Sequence, residues 1–246
     1  AARDFAQTEL LPGVIDRDNK QEFPEELVRK MGALGFLGIM VDPKYGGSGM
    51  DTISYVLIME ELSKIGASAS VIVSVNNSLV CYGLEAYGTE IQKQKYLTKL
   101  ATGEFIGAFC LSEPEAGSDA TSQATTAEDK GDYYLINGTK NWITNGGRSD
   151  IYLVIAQTDR EKGHKGINVF IVEKGTPGFH IGPKEDKLGI RGSDTHTLQF
   201  NDVKVPKENR IGEDGFGFKF AMRTLSGGRI GIAAQALGIA AGGYEL

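Results

Sequence analysis

At 246 residues, with 41% hydrophobic and 24% charged side chains, the chain has the composition of an ordinary folded globular protein, which excludes pervasive disorder. Its formal net charge is -6 and no run of Lys or Arg is long enough to track a nucleic-acid backbone, so nucleic acid is not expected as a partner. No stretch reaches the ~18 uninterrupted apolar residues of a membrane span, and no signal peptide opens the chain.

Residues 1 to about 103 read as helices. The opening AARDFAQTELL is an amphipathic helix already under way, with Phe5, Leu10 and Leu11 at near-helical spacing. In EFPEELVRKMGALG, Pro24 suits a first helical position, Leu27, Val28, Met31 and Leu34 form one apolar face, and Gly35 is a stop. GGSGMD is a glycine-rich loop rather than a nucleotide-binding turn, because it follows a Pro-containing turn instead of a strand. Asp51 caps the next helix, where Ile53, Val56, Leu57, Ile58, Met59 and Leu62 leave a narrow polar stripe and predict a mostly buried element. SASVIVSVNNSLVCYGL is β-branched, but its length favours a buried helix. Thr89 and Gln92 form a capping-box pattern ahead of Tyr96, Leu97 and Leu100.

The period changes after Gly103. FIGAFCL, DYYLING, NWITNG, IYLVIAQ, GINVFIVEK, GFHIG and THTLQFNDVKV are short β-rich segments separated by turn residues, which predicts a compact antiparallel sheet or barrel at about 104 to 210. From Gly217 a helical pattern returns through Phe218, Met222, Leu225, Ile230 and Ile232. Helices, then a β block, then helices disfavour a doubly wound parallel sheet. Neither end of the sequence has a clear cap, so the natural protein is expected to extend beyond both.

Cys81 and Cys110 lie in apolar stretches without metal-ligand spacing and read as small buried hydrophobes, a usage that fits a reducing compartment. His164, His180 and His196 show no metal spacing either and read as surface or turn histidines. The informative segment runs from Phe109 to Asp119 (FCLSEPEAGSD), where an apolar strand enters a small polar loop. Backbone N–H groups in such a loop approach an anion or a polar ring edge, and Ser112 and Ser118 add hydroxyls; a plain turn between strands has the same look. Further on, Trp142 alternates with Thr144 along a strand, offering either a flat apolar surface beside a hydroxyl or a core Trp closing a barrel.

Leu-Ser-Glu-Pro at 111 to 114 with Ala-Gly-Ser-Asp at 116 to 119, Trp-Ile-Thr-Asn-Gly from Trp142, Lys187 to Ser193 (KLGIRGS) and Asp202 to Pro206 (DVKVP) together resemble the acyl-CoA dehydrogenase family. The likeness is closest to its short-chain, butyryl-type members and covers essentially the whole chain in the correct order. It implies an all-α N-terminal domain (1–103), an antiparallel β-barrel middle domain (104–210) and the start of an all-α C-terminal domain (211–246). It further implies FAD held noncovalently by Phe109, Cys110, Leu111, Ser112, Gly117, Ser118, Trp142, Ile143 and Thr144. In that reading Ser112 lies near the pyrimidine side of the ring, Ser118 meets both cofactor and CoA substrate, and Trp142 and Thr144 pack on the isoalloxazine and hydrogen-bond near N5. Leu225 to Ile230 resembles the segment that contacts the pantetheine arm; Arg229 matches it, either as a ligand contact or as an interhelical salt bridge, whereas many relatives carry Asp where Ser226 stands here.

The implied reaction is α,β-dehydrogenation of a short-chain acyl-CoA to trans-2-enoyl-CoA, as in fatty-acid β-oxidation, with an electron-transfer flavoprotein as acceptor. The family assembles as homodimers or homotetramers in a bacterial cytoplasm or a mitochondrial matrix. The base in the members most resembled is a Glu that would fall beyond Leu246, so no catalytic base is assigned here: Glu113, before Pro114 in a tight loop, suits a structural hydrogen-bonding role, and Glu60 and Glu61 suit surface or domain contacts. Lys165, in the loop GHKGIN, could approach CoA phosphates or simply be solvated. A flavin-dependent oxidase and a non-catalytic acyl-CoA or partner-binding module of the same fold are the rivals.

Overall fold

The computed structural model describes residues 1–245. Helices fill the first hundred residues, and the signals that start and stop them act as the sequence suggests. Asp51 accepts the Ser54 N–H at 2.8 Å, Thr89 and Gln92 form a reciprocal capping box, and Gly103, at φ 77°, ends the helical block. Pro24 stands one place before its helix, Glu25–Ala33, instead of inside it. The central element is Ala67–Tyr87, carried through a π-type turn at Val75–Cys81. Its mean hydropathy of 1.3 over a membrane-length window would suit a span, but 72% of that window is buried inside the protein, which makes it the core helix.

Two buried amides hold that helix in place. Asn77 accepts the Ile39 N–H (2.8 Å) and donates to Phe36 O (2.8 Å), while Asn76 donates to Leu37 O (2.9 Å) and Leu100 O (3.1 Å) and accepts the Gly107 N–H (3.1 Å). These bonds satisfy backbone groups of loops that would otherwise be stranded in the core, and the last of them joins the helices to the sheet.

Eight strands follow: β1 (Gly107–Cys110), β2 (Thr126–Asp129), β3 (Tyr133–Thr144), β4 (Ile151–Gln157), β5 (Ile167–Glu173), β6 (Phe179–Lys184), β7 (Thr195–Pro206) and β8 (Arg210–Ile211). They form one sheet in the order β6-β7-β3-β2-β4-β5-β8, with β1 also on β4. The pairing is antiparallel except for β1 with β4 and the single contact of β2 with β4, which are parallel. DYYLING and NWITNG, read as separate segments, are one 12-residue strand, because Gly138 is a point of close approach and not a turn: a Cβ there would meet Thr125 at 2.5 Å.

The last helix, Gly217–Glu245, packs on Thr52–Ile65, and the latter departs from its expected burial. The inward face of the last helix is made of small residues. Gly231 lies under the Tyr55 hydroxyl and Gly238 under Glu60 O, where a Cβ would stand 2.2 and 2.5 Å away, so Ile230 and Ile232 point outward, 45% and 49% exposed. Thr52–Ile65 buries Tyr55, Met59 and Leu62 but leaves Ile53 and Leu57 at 69% and 56% exposure, so it is a half-buried helix with an apolar outer face.

Candidate flavin and acyl site

β1 is buried along its whole length, and its side chains divide between two cores. Phe109 faces the helices and stacks on Phe220 (centroids 6.4 Å apart, planes at 15°), whereas Cys110 points into the core of the sheet. Beyond β1 the chain rises to the surface: Ser112 is half-buried, and Gly117 and Ser118 are exposed, with open space where a Gly117 Cβ would be. Asp119 then accepts the Thr121 N–H (3.0 Å) and the Ser122 hydroxyl (2.6 Å), which close the turn and hold its carboxyl below the usual range.

Trp142 belongs to the same surface. The Asn141 N–H donates to Ser112 O at 2.9 Å, which fastens the end of β3 to the turn. A bulge between Lys140 and Ile143 gives Trp142 a φ of 61° and inverts the alternation, so Ile143 is buried while Trp142 and Thr144 share the outer face. The indole is 63% exposed, which excludes a core Trp closing the sheet. A non-glycine residue held at positive φ with its ring in solvent is a strained arrangement of the kind that marks ligand contacts. Cys110 and Ile143, at 0% and 2% exposure, can meet a ligand only through their backbone.

Behind this surface lies an ion pair that sequence reasoning reached only in part. The Lys140 ammonium, fully buried, is 2.6 Å from Glu113 Oε1. Glu113 thus has the structural role expected of it and is not free as a base. Lys140 itself gave a signal that went unused, since it falls in phase with the inward Tyr134 and Ile136 of β3. Glu61 pairs with Arg3 at 2.9 Å and Glu60 with Lys64 at 3.8 Å, in keeping with contact roles.

His196 corrects the expectation of surface histidines: it is 9% exposed on β7, with Nδ1 2.8 Å from Gly182 O and Nε2 2.9 Å from the Asp194 carboxylate. Asp194 in turn accepts the Gly147 N–H at 2.7 Å, bracing the turn that follows Trp142. His180 is exposed and His164 lies against the Phe218 ring. Burial raises the Cys81 and Cys110 thiols far above their ordinary values, consistent with inert core residues. No group of His, Cys, Asp and Glu suited to a metal ion occurs among the described residues.

Ser226 and Arg229 lie on the last helix, both exposed, with the Ser226 hydroxyl donating to Met222 O at 3.0 Å. Arg229 makes no ion pair among the described residues and stands at the rim of a cleft of about 500 Å³ between the core helix and the last helix. The cleft is lined chiefly by Val75, Leu79, Leu225 and Ile232, with the Ser74 and Ser78 hydroxyls on one side.

A helical block, a β sheet with an exposed indole beside a hydroxyl-bearing turn, and a returning helix define the class: the chain belongs to the acyl-CoA dehydrogenase family, matching its N-terminal domain over residues 1–104 and its middle domain over residues 108–203. Among curated proteins it is 53% identical over 243 residues to "Acyl-CoA dehydrogenase, short-chain specific" of Clostridium acetobutylicum, covering 99% of this chain and 64% of that protein. Among solved structures it is similar to butyryl-CoA dehydrogenase from Megasphaera elsdenii (TM-score 0.96, 51% identity, 98% of this chain and 64% of that one). It is also similar to PigA solved with FAD and proline (TM-score 0.94, 30% identity, 98% and 63%). The chain thus spans a little under two thirds of the length of these relatives.

The surface fits a flavin on its own features. Asn141 Oδ1 is buried without a hydrogen-bond partner between Ser112 and Trp142, which is the state of an acceptor whose donor comes from elsewhere. The Ser112, Ser118 and Thr144 hydroxyls and an open indole face suit a flat heterocycle with a polar rim.

Proposed function

We propose that the protein is an FAD-dependent acyl-CoA dehydrogenase acting on short-chain acyl-CoA, in which Phe109 to Ser112, Gly117, Ser118 and Trp142 to Thr144 hold the flavin. The observation that carries this reading is the outward Trp142 indole tied through Asn141 to Ser112, in a chain of this family. When bound, FAD supplies the acceptor for the hydride that leaves the β-carbon of the thioester.

The remaining work falls to the protein. Trp142 gives the ring a flat apolar wall, and the Ser112 and Thr144 hydroxyls bond its polar edge. Ser118, exposed at the tip of the turn, reaches both cofactor and substrate. The cleft along Val75 and Leu79 excludes water around a short acyl chain, and Arg229 at its rim meets the CoA arm. By resemblance to the family, the α-proton goes to a carboxylate in the part of the relatives' length that this chain does not span; Glu113, Glu60 and Glu61 are each paired with a cation. Electrons pass to an electron-transfer flavoprotein, and the complete polypeptide forms a homodimer or homotetramer.

The test is the visible spectrum of the complete natural polypeptide, reconstituted with FAD and titrated with a series of acyl-CoAs. A yellow protein bleached best by butyryl-CoA is the expected result. A protein that stays colourless after gentle purification with FAD refutes the assignment.

A further inference from the structure

Lys140 uses all of its donors in the dark interior behind the flavin surface. Its Nζ reaches Glu113 Oε1 (2.6 Å), Gln123 Oε1 (2.6 Å) and Leu111 O (3.2 Å). The Glu113 carboxylate accepts from the Ala124 N–H (2.6 Å) and the Thr125 N–H (3.1 Å), and Gln123 Nε2 donates back to Leu111 O at 3.3 Å. A buried ion pair commonly adds no stability over an apolar filling of the same volume, so stability alone does not account for this one. What it provides is geometry, because it joins three separate pieces of chain: β3, the exit of β1 at 111–113, and the returning segment at 123–125.

The joint adjoins the residues assigned to the ring. Ser112 lies between Leu111 and Glu113, both of which are held, and its carbonyl takes the N–H of Asn141, the residue after Lys140. Trp142 follows one position later, past the bulge. We propose that Lys140, Glu113 and Gln123 form a positioning cluster that locks the 111–118 turn against β3, so that Ser112 and Trp142 address the same flavin. This rests on the flavin reading above and adds to it residues that touch no part of the cofactor.

The cluster carries its own titration. The ionisable groups facing Lys140 are the Glu113 carboxyl from the turn and the Cys110 thiol from β1. Burial pulls the Lys140 ammonium down to about 8 against the attraction of Glu113. Burial pushes Glu113 upward, but the nearby ammonium and the 124–125 hydrogen bonds outweigh it and hold the carboxyl below its ordinary value. Once Lys140 loses its proton, Glu113 remains a buried anion without a counter-charge, and the clamp slackens.

The experiment compares the complete FAD-loaded polypeptide with Lys140→Met, Glu113→Gln and the double variant, which removes both charges and strands neither. FAD affinity, visible circular dichroism and thermal melting are read from about one pH unit below the Lys140 value to about one above it. In the wild type the FAD dissociation constant should rise roughly tenfold across that interval while the melting midpoint does not fall. The double variant should melt near the wild type, bind FAD roughly tenfold more weakly at neutral pH, and show no such rise. Wild-type FAD affinity in the folded double variant, or a flat wild-type profile, overturns the inference while leaving the flavin reading intact. A wild type that takes up no FAD overturns the flavin reading itself.

Discussion

Replacing Phe220 by Ala should loosen the joint between the last helix and β1. The ring is fully buried, stacks on Phe109 at 6.4 Å and meets Tyr87 at 5.6 Å. Truncating a buried Phe to Ala costs about 3–5 kcal/mol where the surroundings cannot collapse, of which aromatic stacking accounts for about 0.5–1.5 kcal/mol. At roughly 2–4 °C per kcal/mol for a chain of this size, the melting midpoint should fall by roughly 10 °C. Gly83 supplies the complementary perturbation, because a Cβ there would stand 2.6 Å from the Phe220 ring tip. Tyr87 and Phe109 flank the ring and leave it no room to swing, so Gly83→Ala should cost about 1–3 kcal/mol as an overpacking change. Combined with Phe220→Leu, which relieves the overlap, the pair should lose less than the sum of the two single changes. Melting by circular dichroism gives the energies, and hydrogen exchange should show the loosening concentrated in Gly107–Cys110 and in the start of the last helix. If Phe220→Ala melts within about 2 °C of the wild type, or the two changes are strictly additive, the close contact is not the anchor described.

Trp142→Ala should leave melting nearly unchanged, within about 0.5 kcal/mol, because the indole is 63% exposed, yet the protein should lose much of its visible flavin absorbance after gel filtration. Retention of the full flavin band would remove Trp142 from the site. For Lys140 the folded value of about 8 lies below the ordinary 10.5, so between those limits the unfolded chain binds more protons and this group's contribution to stability rises with pH. Glu113 has the opposite window: its depressed carboxyl contributes stability above the ordinary 4.5 that is lost as pH falls through the folded value. Urea titrations across pH should show both trends in the wild type and neither in the double Lys140→Met, Glu113→Gln variant; unchanged trends would place the titration elsewhere. Cys81 and Cys110, both 0% exposed with raised thiols, should resist iodoacetamide in the native protein and react on unfolding, as mass spectrometry can count. Rapid native alkylation of either would contradict their burial.

The parts of the fold visible in the sequence are those where one local rule acts alone. Asp51, the Thr89–Gln92 box and Gly103 satisfy backbone groups of their own helix end, so their meaning needs no tertiary knowledge. In the last helix hydrophobicity competes with distance, so its apolar periodicity does not mark the buried face. Tyr55, Glu60 and Lys64 come so near that only glycine fits between the helices, and Ile230 and Ile232, though more apolar, are turned outward. Gly138 misled in a similar way, since a glycine demanded by the neighbouring strand looks in sequence like one demanded by a turn.

The site was legible to a different degree in each of its layers. Its outer layer was marked in the sequence by a hydroxyl-bearing glycine loop and an indole on a strand, features that a plain turn and a core Trp share, and only the family resemblance joined them into one candidate site. Its inner layer depends on pairings distant in sequence: Lys140 lies 27 residues from Glu113 and 17 from Gln123, and His196 meets Gly182 across 14. A charge at an inward strand position signals that a partner must exist, since an unpaired buried ammonium is prohibitively costly, but nothing local says which carboxylate it is. The bulge after Lys140 adds a second hidden element. It reverses which side chains face out, so the surface Trp142 presents follows from a backbone irregularity that alternation alone would have placed on the wrong face. Candidate ring contacts could therefore be named from the family resemblance, whereas the residues that aim them become visible only when the three chain segments are seen to meet.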